Sequence, residues 1–262
     1  MKAALVLAGV ALLLAGCGKS TDQSPEDSAA APVAATPEAA GRLSAYRDAV
    51  LTLVAGSYGG ACHGIDGPMP AQGVTIDRDG SVAAGAWHID LAGARLNLAR
   101  TRNAGAAAAG VFNASGDGGG QPYQLIITSD GGGSALFGSG TKGTQCTSVA
   151  AASALAAKPL YPAVAQFFTS AGASMTCVEN GALRETTIKP EPAGLVLGEH
   201  RLAFDATAAQ EFISVEAQQG LLEYGARYAD QSHVELGVDA AGKLVMAAYT
   251  SKSGAAILCS PK

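Results

Sequence analysis

The stretch His233–Asp239, with the sequence HVELGVD, alternates apolar and polar residues. In an extended chain its three aliphatic side chains lie on one face, and Glu235 and Asp239 lie on the other. This period of two is typical of a β-strand with one buried face. The stretch Tyr123–Ile127 places Tyr, Leu and Ile on a single face in the same way. Both stretches predict a chain that is built mostly from antiparallel β-strands.

Short glycine-containing pairs separate the alternating stretches. Asp79–Gly80, Asp130–Gly131 and Ala241–Gly242 occupy positions at which hairpin turns are expected. The glycine clusters at residues 116–120 and 131–133 flank a predicted strand on its two sides. A dinucleotide-binding loop would instead lead from a strand into a helix. We therefore expect both clusters to be hairpin tips.

Two segments have the period of a helix. Leu43, Tyr46, Val50 and Val54 recur at spacings of three and four residues, which places them on one helical face. In the segment 162–168, apolar residues follow a proline that suits the first turn of a helix. The sequence predicts a short helix at each place, ahead of the strands that follow it.

A pair of cysteines occurs twice along the chain with nearly the same spacing. Cys62 and Cys146 are 84 residues apart, and Cys177 and Cys259 are 82 residues apart. A tyrosine precedes the first cysteine of each pair by the same number of residues. Because a repeated frame indicates duplication, we expect an α+β fold, mostly β, of two tandem repeats. Each repeat would be a short N-terminal helix followed by an antiparallel sheet closed by one disulfide.

The amino-terminal residues have the layout of a secretory signal, with Lys2, an uncharged apolar run and small residues at a cleavage site. The run ends in Leu14–Cys17, LAGC, which resembles the lipobox of bacterial lipoproteins. This resemblance implies cleavage before Cys17 and acyl chains, such as palmitate, on that residue. The run Ala3–Gly16 is too short to cross a bilayer, which takes roughly 20 residues.

Four segments follow from these patterns: a signal peptide at residues 1–16, a lipid anchor and disordered linker at 17–41, and the two repeats at 42–150 and 158–262. The linker holds several prolines and no aromatic residue, so it buries too little apolar area to offset its ordering entropy. In lipoproteins, an aspartate in place of Gly18 implies retention in the inner membrane. We therefore expect the outer membrane, with the body facing the periplasm.

The remaining cysteines are expected to form disulfides. With Cys17 acylated, four cysteines stay in an oxidising compartment, and they allow three connectivities. The repeated frame favours Cys62–Cys146 and Cys177–Cys259. The sequence contains no C-x-x-C pair, which favours structural disulfides over redox or metal chemistry.

Charge and motifs narrow the classes of function. The formal net charge of −5 argues against a nucleic-acid partner, because phosphate binding needs a basic surface. The sequence has no H-E-x-x-H and no G-x-S-x-G motif, so we predict no catalytic residue, no metal site and no cofactor. Trp87 is the first candidate for an aromatic contact with a ligand.

The favoured interpretation is a non-catalytic binding or structural module of the envelope, held to the membrane by acyl chains, with a protein or glycan ligand. One alternative is an envelope hydrolase with a cleft between the repeats, for which His88, His200, Glu199 and Asp205 are the candidates.

A second alternative is a protein like the membrane-bound lysozyme inhibitors. Two short segments, TCVENG at residues 176–181 and GARYAD at residues 225–230, resemble that family. In that family a serine precedes the glycine of the second motif, whereas this chain has a tyrosine there.

Lipidation of Cys17 gives a direct test. Cells that express the protein and grow with radiolabelled palmitate should label the wild-type chain, and the Cys17→Ser variant should carry no label because it lacks the acceptor thiol. Autoradiography of the purified chains measures the difference. An unlabelled wild-type chain, or equal label on both chains, would contradict the lipoprotein interpretation.

Overall fold

The computed structural model describes residues 36–64, 67–102, 108–139, 142–151, 155, 158–171, 175–205 and 207–261, with only the backbone described for residues 67–71. Cys17 and the predicted signal peptide, residues 1–16, lie outside the described residues. The elements are, in chain order, α1 (Pro37–Val54), β1 (Gly56–Gly64), β2 (Gly67–Ile76), β3 (Ser81–Ala84), β4 (Trp87–Asp90), β5 (Arg95–Thr101), β6 (Ala109–Asp117), β7 (Pro122–Thr128), β8 (Gly133–Phe137), β9 (Thr144–Ala151), α2 (Tyr161–Thr169), β10 (Met175–Glu179), β11 (Ala182–Glu185), β12 (Ile188–Glu191), β13 (Gly194–Leu197), β14 (His200–Ala203), β15 (Gln210–Glu216), β16 (Leu221–Arg227), β17 (His233–Asp239), β18 (Leu244–Thr250) and β19 (Ala256–Pro261).

Most of these strands belong to one sheet of 16 strands, in the order β11-β10-β19-β18-β17-β16-β15-β5-β6-β7-β8-β9-β1-β2-β3-β4. Strands β5 to β9 form an antiparallel meander, and β9 also pairs with β1. Strands β15 to β19 form a second meander, and β19 also pairs with β10. The pairing of β5 with β15 joins the two meanders.

The prediction of two tandem repeats, each with a sheet of its own, is wrong. β5 pairs with β15 from end to end, so strands of both halves of the chain share one sheet. This pairing satisfies strand edges that two separate sheets would leave exposed. The halves also differ in their elements, since β3 and β4 extend the large sheet whereas β12, β13 and β14 form a separate three-stranded sheet. α1 has 18 residues and α2 has 9.

The amino-terminal helix begins earlier than the sequence predicted, within the segment 17–41 that was expected to be a linker. The hydroxyl of Thr36 accepts a hydrogen bond from the backbone N–H of Ala39 at 3.2 Å, and Pro37 occupies the first turn. A threonine N-cap followed by proline is a favourable helix start. The composition of this segment suggested disorder, but its local capping residues favour a helix.

Burial alternates along β5 and along part of β15 in the large sheet. On β5, Leu96 and Leu98 are fully buried, while Asn97 between them is half-buried. On β15, Ile213 and Val215 are also fully buried. α1 contacts β5, β15 and β16, and α2 contacts α1 and β17. We call the face under the helices the core face and the opposite face the open face.

α1 packs its predicted apolar side against the core face. Tyr46, Val50 and Val54 are buried as predicted, together with Leu51. The Tyr46 hydroxyl donates a hydrogen bond to the backbone carbonyl of Asp239 on β17 at 2.7 Å, which fixes the middle of the helix to the sheet. Neither α1 nor α2, the helices of the described residues, is long and apolar enough to cross a bilayer.

α2 begins at Tyr161, with Pro162 in its first turn as predicted. Its Phe168 side chain is fully buried. The Tyr161 ring contacts the rings of Phe204 and Tyr224, with centroids 4.5 Å and 4.8 Å away. This aromatic cluster closes the core between α2 and β16.

The predicted turns lie between neighbouring strands. Asp79–Gly80 connects β2 with β3, and the Gly80 N–H donates to the carbonyl of Asp77 at 3.0 Å. Gly80 has a φ of +90°, a conformation that favours glycine. The glycine cluster 116–120 lies at the β6–β7 hairpin and the cluster 131–133 at the β7–β8 hairpin, as expected.

Two disulfides join strands that are neighbours in the sheet but distant in the sequence. Cys62 on β1 is bonded to Cys146 on β9, and Cys177 on β10 is bonded to Cys259 on β19. These are the pairs that the cysteine spacing favoured. Each disulfide fixes the strand that closes one meander, because it crosses directly between opposite residues of the ladder.

A buried ion pair lies where the two meanders meet. Arg100 on β5 and Glu211 on β15 are directly opposite in the ladder, and Nη1 of the arginine lies 2.8 Å from Oε2 of the glutamate. Both side chains are almost fully buried on the core face. Oε1 of Glu211 accepts hydrogen bonds from the Tyr224 hydroxyl at 2.9 Å and from the Leu160 N–H at 3.2 Å. The carboxylate therefore links β5, β15, β16 and the residue before α2.

The ion pair predicts that Glu211→Gln changes the free energy of unfolding in opposite directions in the wild-type chain and in the Arg100→Met chain. Arg100→Met should lower the free energy of unfolding by about 3–5 kcal/mol, because it leaves the Glu211 charge buried without its counter-ion. Glu211→Gln should destabilise the wild-type chain, yet stabilise the Arg100→Met chain, since glutamine removes the charge and keeps an acceptor for Tyr224 and Leu160. Urea unfolding of the four chains measures the effect. The ion-pair argument fails if Glu211→Gln destabilises both backgrounds equally.

Candidate functional site

A cleft of about 260 Å³ lies over the central strands β5, β15, β16 and β17. Because side chains alternate along a strand, the residues whose side chains line this cleft stand on the open face, away from the helices. We call it the open-face cleft. Its polar and aromatic lining residues on the open face are Thr101, Gln210, Phe212, Arg227, His233 and Glu235, and the lining also includes Arg100 and Glu211 of the buried ion pair.

A close approach of ring and backbone shapes the floor of the cleft. Gly225 on β16 is directly opposite Phe212 on β15, and a Cβ at Gly225 would collide with the Phe212 ring. The ring therefore lies over the glycine instead of standing free in solvent. Ala99, opposite Phe212 on its other side, adds a second small apolar residue. The floor of the cleft is thus apolar, with one half-buried aromatic ring.

The rim of the cleft carries opposite charges. Arg227 is exposed at the end of β16, and Glu235 is half-buried on β17. Arg227 is opposite His233, so Glu235 is its diagonal neighbour, at about 7–8 Å between Cα atoms. Within the described part of the chain, neither Arg227 nor Glu235 forms an ion pair. Both charges are therefore free to interact with a ligand.

Carboxylates concentrate on the Glu235 side of the cleft. Glu216, Glu223 and Glu235 lie on successive strands β15, β16 and β17 of the open face, and Arg95 forms an ion pair with Glu216. Burial raises the pKa of the Glu223 carboxyl, and the charges of Glu216 and Glu235 raise it further. This part of the open face therefore has a negative potential that the chain neutralises only in part.

An exposed apolar patch lies on the same face, at one edge of the sheet. Leu183, Val178 and Leu258 are opposite one another on β11, β10 and β19, with exposed fractions of 74%, 39% and 56%. The ladder continues from Leu258 through Ala248 to Glu235, so the patch and the cleft share one cross-strand row. We call these three residues the edge patch. An exposed apolar patch on a sheet face is the feature expected of a binding module.

Trp87, the aromatic residue that the sequence singled out, lies elsewhere. It begins β4, the strand at the other edge of the large sheet. A Cβ at Gly138 would collide with the Trp87 ring, so the ring covers that glycine and is half-buried. Packing over a hairpin accounts for this tryptophan.

The structure places the two histidines considered for a hydrolase on different sheets. His88 is exposed on β4 of the large sheet, whereas His200 begins β14 of the three-stranded sheet and its ring lies 4.7 Å from that of Tyr249. Glu199 is exposed in the turn before β14. Asp205 accepts hydrogen bonds from the hydroxyl and N–H of Thr207, which lower the pKa of its carboxyl and mark it as a turn residue. The two histidines lie in different sheets.

The resemblance to lysozyme inhibitors is not supported by the contacts of its second segment. Tyr224, which stands where that family has a serine, is fully buried on the core face with its hydroxyl on Glu211. It offers no surface to a partner. Comparison with protein-family models, curated proteins and solved structures gave no match to this chain.

Sequence reasoning did not identify the open-face cleft. Phe212, Arg227 and Glu235 lie on three successive strands, and the ladder pairing brings them together. A weak signal exists in Gly225, a glycine within a strand, which often marks a close approach to another group.

Glu223 gives a pH-dependent prediction. Because its folded-state pKa is raised above the ordinary value, the folded chain favours the protonated carboxyl, and stability is lost as pH rises through that pKa. Glu223→Gln should therefore raise the free energy of unfolding at pH 7, by less than about 1 kcal/mol for a half-buried group. The gain should shrink at pH 4.

Urea unfolding of the wild type and the variant at both pH values measures this difference. Glu199→Gln, at an exposed turn glutamate, serves as the control and should show no such gain. A Glu223→Gln gain that is equal at both pH values would exclude the electrostatic explanation.

Proposed function

We propose that this chain is a lipid-anchored protein of the bacterial cell envelope that binds a ligand without catalysis, in the open-face cleft. The observation that carries the proposal is the cleft itself, with an apolar floor and two opposite charges at its rim that form no ion pair within the described part of the chain. A site of this kind fixes a ligand by shape at the floor and by charge at the rim.

The envelope location is supported by two features of the sequence and fold. The Leu14–Cys17 segment resembles a lipobox, which implies an acyl anchor on Cys17 in the outer membrane and a body in the periplasm. The two disulfides suit an oxidising compartment such as the periplasm. A single acyl chain binds a membrane weakly, whereas two or more give stable anchoring.

Binding rather than hydrolysis is favoured by the residues at the cleft. Its lining side chains include the Phe212 ring and the Arg227 guanidinium, which hold a ligand by apolar contact and by charge. The hydrolase candidates His88 and His200 lie in different sheets, outside the cleft lining. The edge patch adds apolar surface on the face that carries the cleft, and a protein or glycan ligand that extends beyond the cleft would contact it.

Photocrosslinking in the cell that makes the protein tests the proposal. A photoreactive amino acid at Gln210, an exposed residue of the cleft, should form an ultraviolet-dependent adduct with the bound ligand. Intact-mass measurement of the purified chain detects an adduct of any size.

The matched control places the same photoreactive residue at Gln218, an exposed glutamine in the turn after β15. It should form no adduct, because it lies outside the lining of the cleft. The absence of an adduct at Gln210, or equal adducts at both positions, would overturn the proposed binding site.

A further inference from the structure

The chemistry of the open-face cleft also restricts the class of ligand, if the proposed function holds. A lone charge at the rim would suit an ion of opposite sign. Here a guanidinium and a carboxylate line the same small cleft on neighbouring strands, and within the described residues neither is paired. A ligand with a single charge would satisfy only one of them and bring a like charge close to the other.

The volume limits the size of the ligand. A cleft of about 260 Å³ is just below the roughly 300–1,000 Å³ of sites that hold drug-sized molecules. The volume suits a ligand of the size of one amino acid or a dipeptide. The Phe212 ring, held over Gly225, offers such a ligand an apolar surface between the two charges.

We propose that the open-face cleft binds a small zwitterion with the chemistry of a free amino acid or a dipeptide. Its ammonium group pairs with the carboxylate of Glu235, and its carboxylate pairs with the guanidinium of Arg227. The aliphatic part of the ligand lies against the Phe212 ring. Guanidinium and carboxylate form charge-assisted, bidentate hydrogen bonds, which set the orientation of the ligand.

The ammonium group and the carboxylate of the ligand should contribute unequally to the binding affinity. Glu223 and Glu216 add negative potential beside Glu235, and the single guanidinium of Arg95 offsets it only in part. On the opposite side Arg227 shares the rim with His233. The ammonium end should therefore contribute more to affinity than the carboxylate end.

Isothermal titration calorimetry of the full chain in detergent with three probes tests this assignment. Dialanine carries both charges, N-acetyl-dialanine keeps only the carboxylate, and dialanine amide keeps only the ammonium. Dialanine should bind most tightly. Acetylation should weaken binding by about tenfold or more, and amidation by a smaller factor, in the range of one charge-assisted hydrogen bond.

Two variants connect each end of the probe to one residue. Arg227→Gln should abolish the difference between dialanine and its amide, and Glu235→Gln should abolish the difference between dialanine and its acetylated form. Arg201→Gln and Glu199→Gln replace the same residue types outside the cleft and should leave all three affinities unchanged. These are ratios within one variant, so a loss of folded protein does not mimic them.

The outcomes separate this inference from the proposed function. If the Gln210 adduct forms but dialanine fails to bind, or binds no better than its blocked analogues, the zwitterion assignment is overturned and the binding site stands. If neither adduct nor dialanine binding is observed, both are overturned. Selective binding of dialanine that depends on Arg227 and Glu235 supports the assignment.

Discussion

The buried pair of Arg100 and Glu211 is the interaction on which the joined sheet depends. Two charges in a low-dielectric core are tolerated only when each has a partner and the remaining lone pairs accept hydrogen bonds. Glu211 meets this condition through Arg100, Tyr224 and Leu160, which come from three separate places in the chain. A shift of β5 against β15 would expose both charges to apolar surroundings. The pair therefore fixes the register at which the two meanders join.

That register also builds the open-face cleft. Side chains alternate across a strand, so the residues on either side of Arg100 and Glu211 point to the opposite face. Ala99 and Thr101 flank the arginine, and Gln210 and Phe212 flank the glutamate; all of them line the cleft. The ion pair on the core face thus holds in place the strands that form the cleft on the other face. The packing of the core and the shape of the open-face cleft are consequently coupled by the alternation of a single pair of strands.

Local features of the fold were predictable from the sequence, whereas its long-range pairing was not. The alternation at His233–Asp239, the hairpin at Asp79–Gly80 and the helix containing Tyr46 follow from neighbours within a few residues. The pairing of β5 with β15 joins residues more than a hundred positions apart, and no local pattern of apolar residues indicates it. A core-facing carboxylate such as Glu211 also breaks the alternation of apolar and polar residues by which a strand is predicted. Because strand pairing is not visible in the local sequence, two separate repeats were predicted. For the same reason the cleft was not predicted, since its charges come from different strands.

The two faces of the central strands place opposite charges under different physical conditions. In the core, a separated guanidinium and carboxylate would each lose their hydration without a compensating attraction. Arg100 and Glu211 therefore lie in contact. On the open face, water solvates Arg227 and Glu235, and the gain from a surface ion pair is small enough that they remain apart. An incoming zwitterion that excludes this water lowers the local dielectric and strengthens its attraction to both groups. The ligand would then complete on the open face the charge pairing that the chain completes by itself in the core.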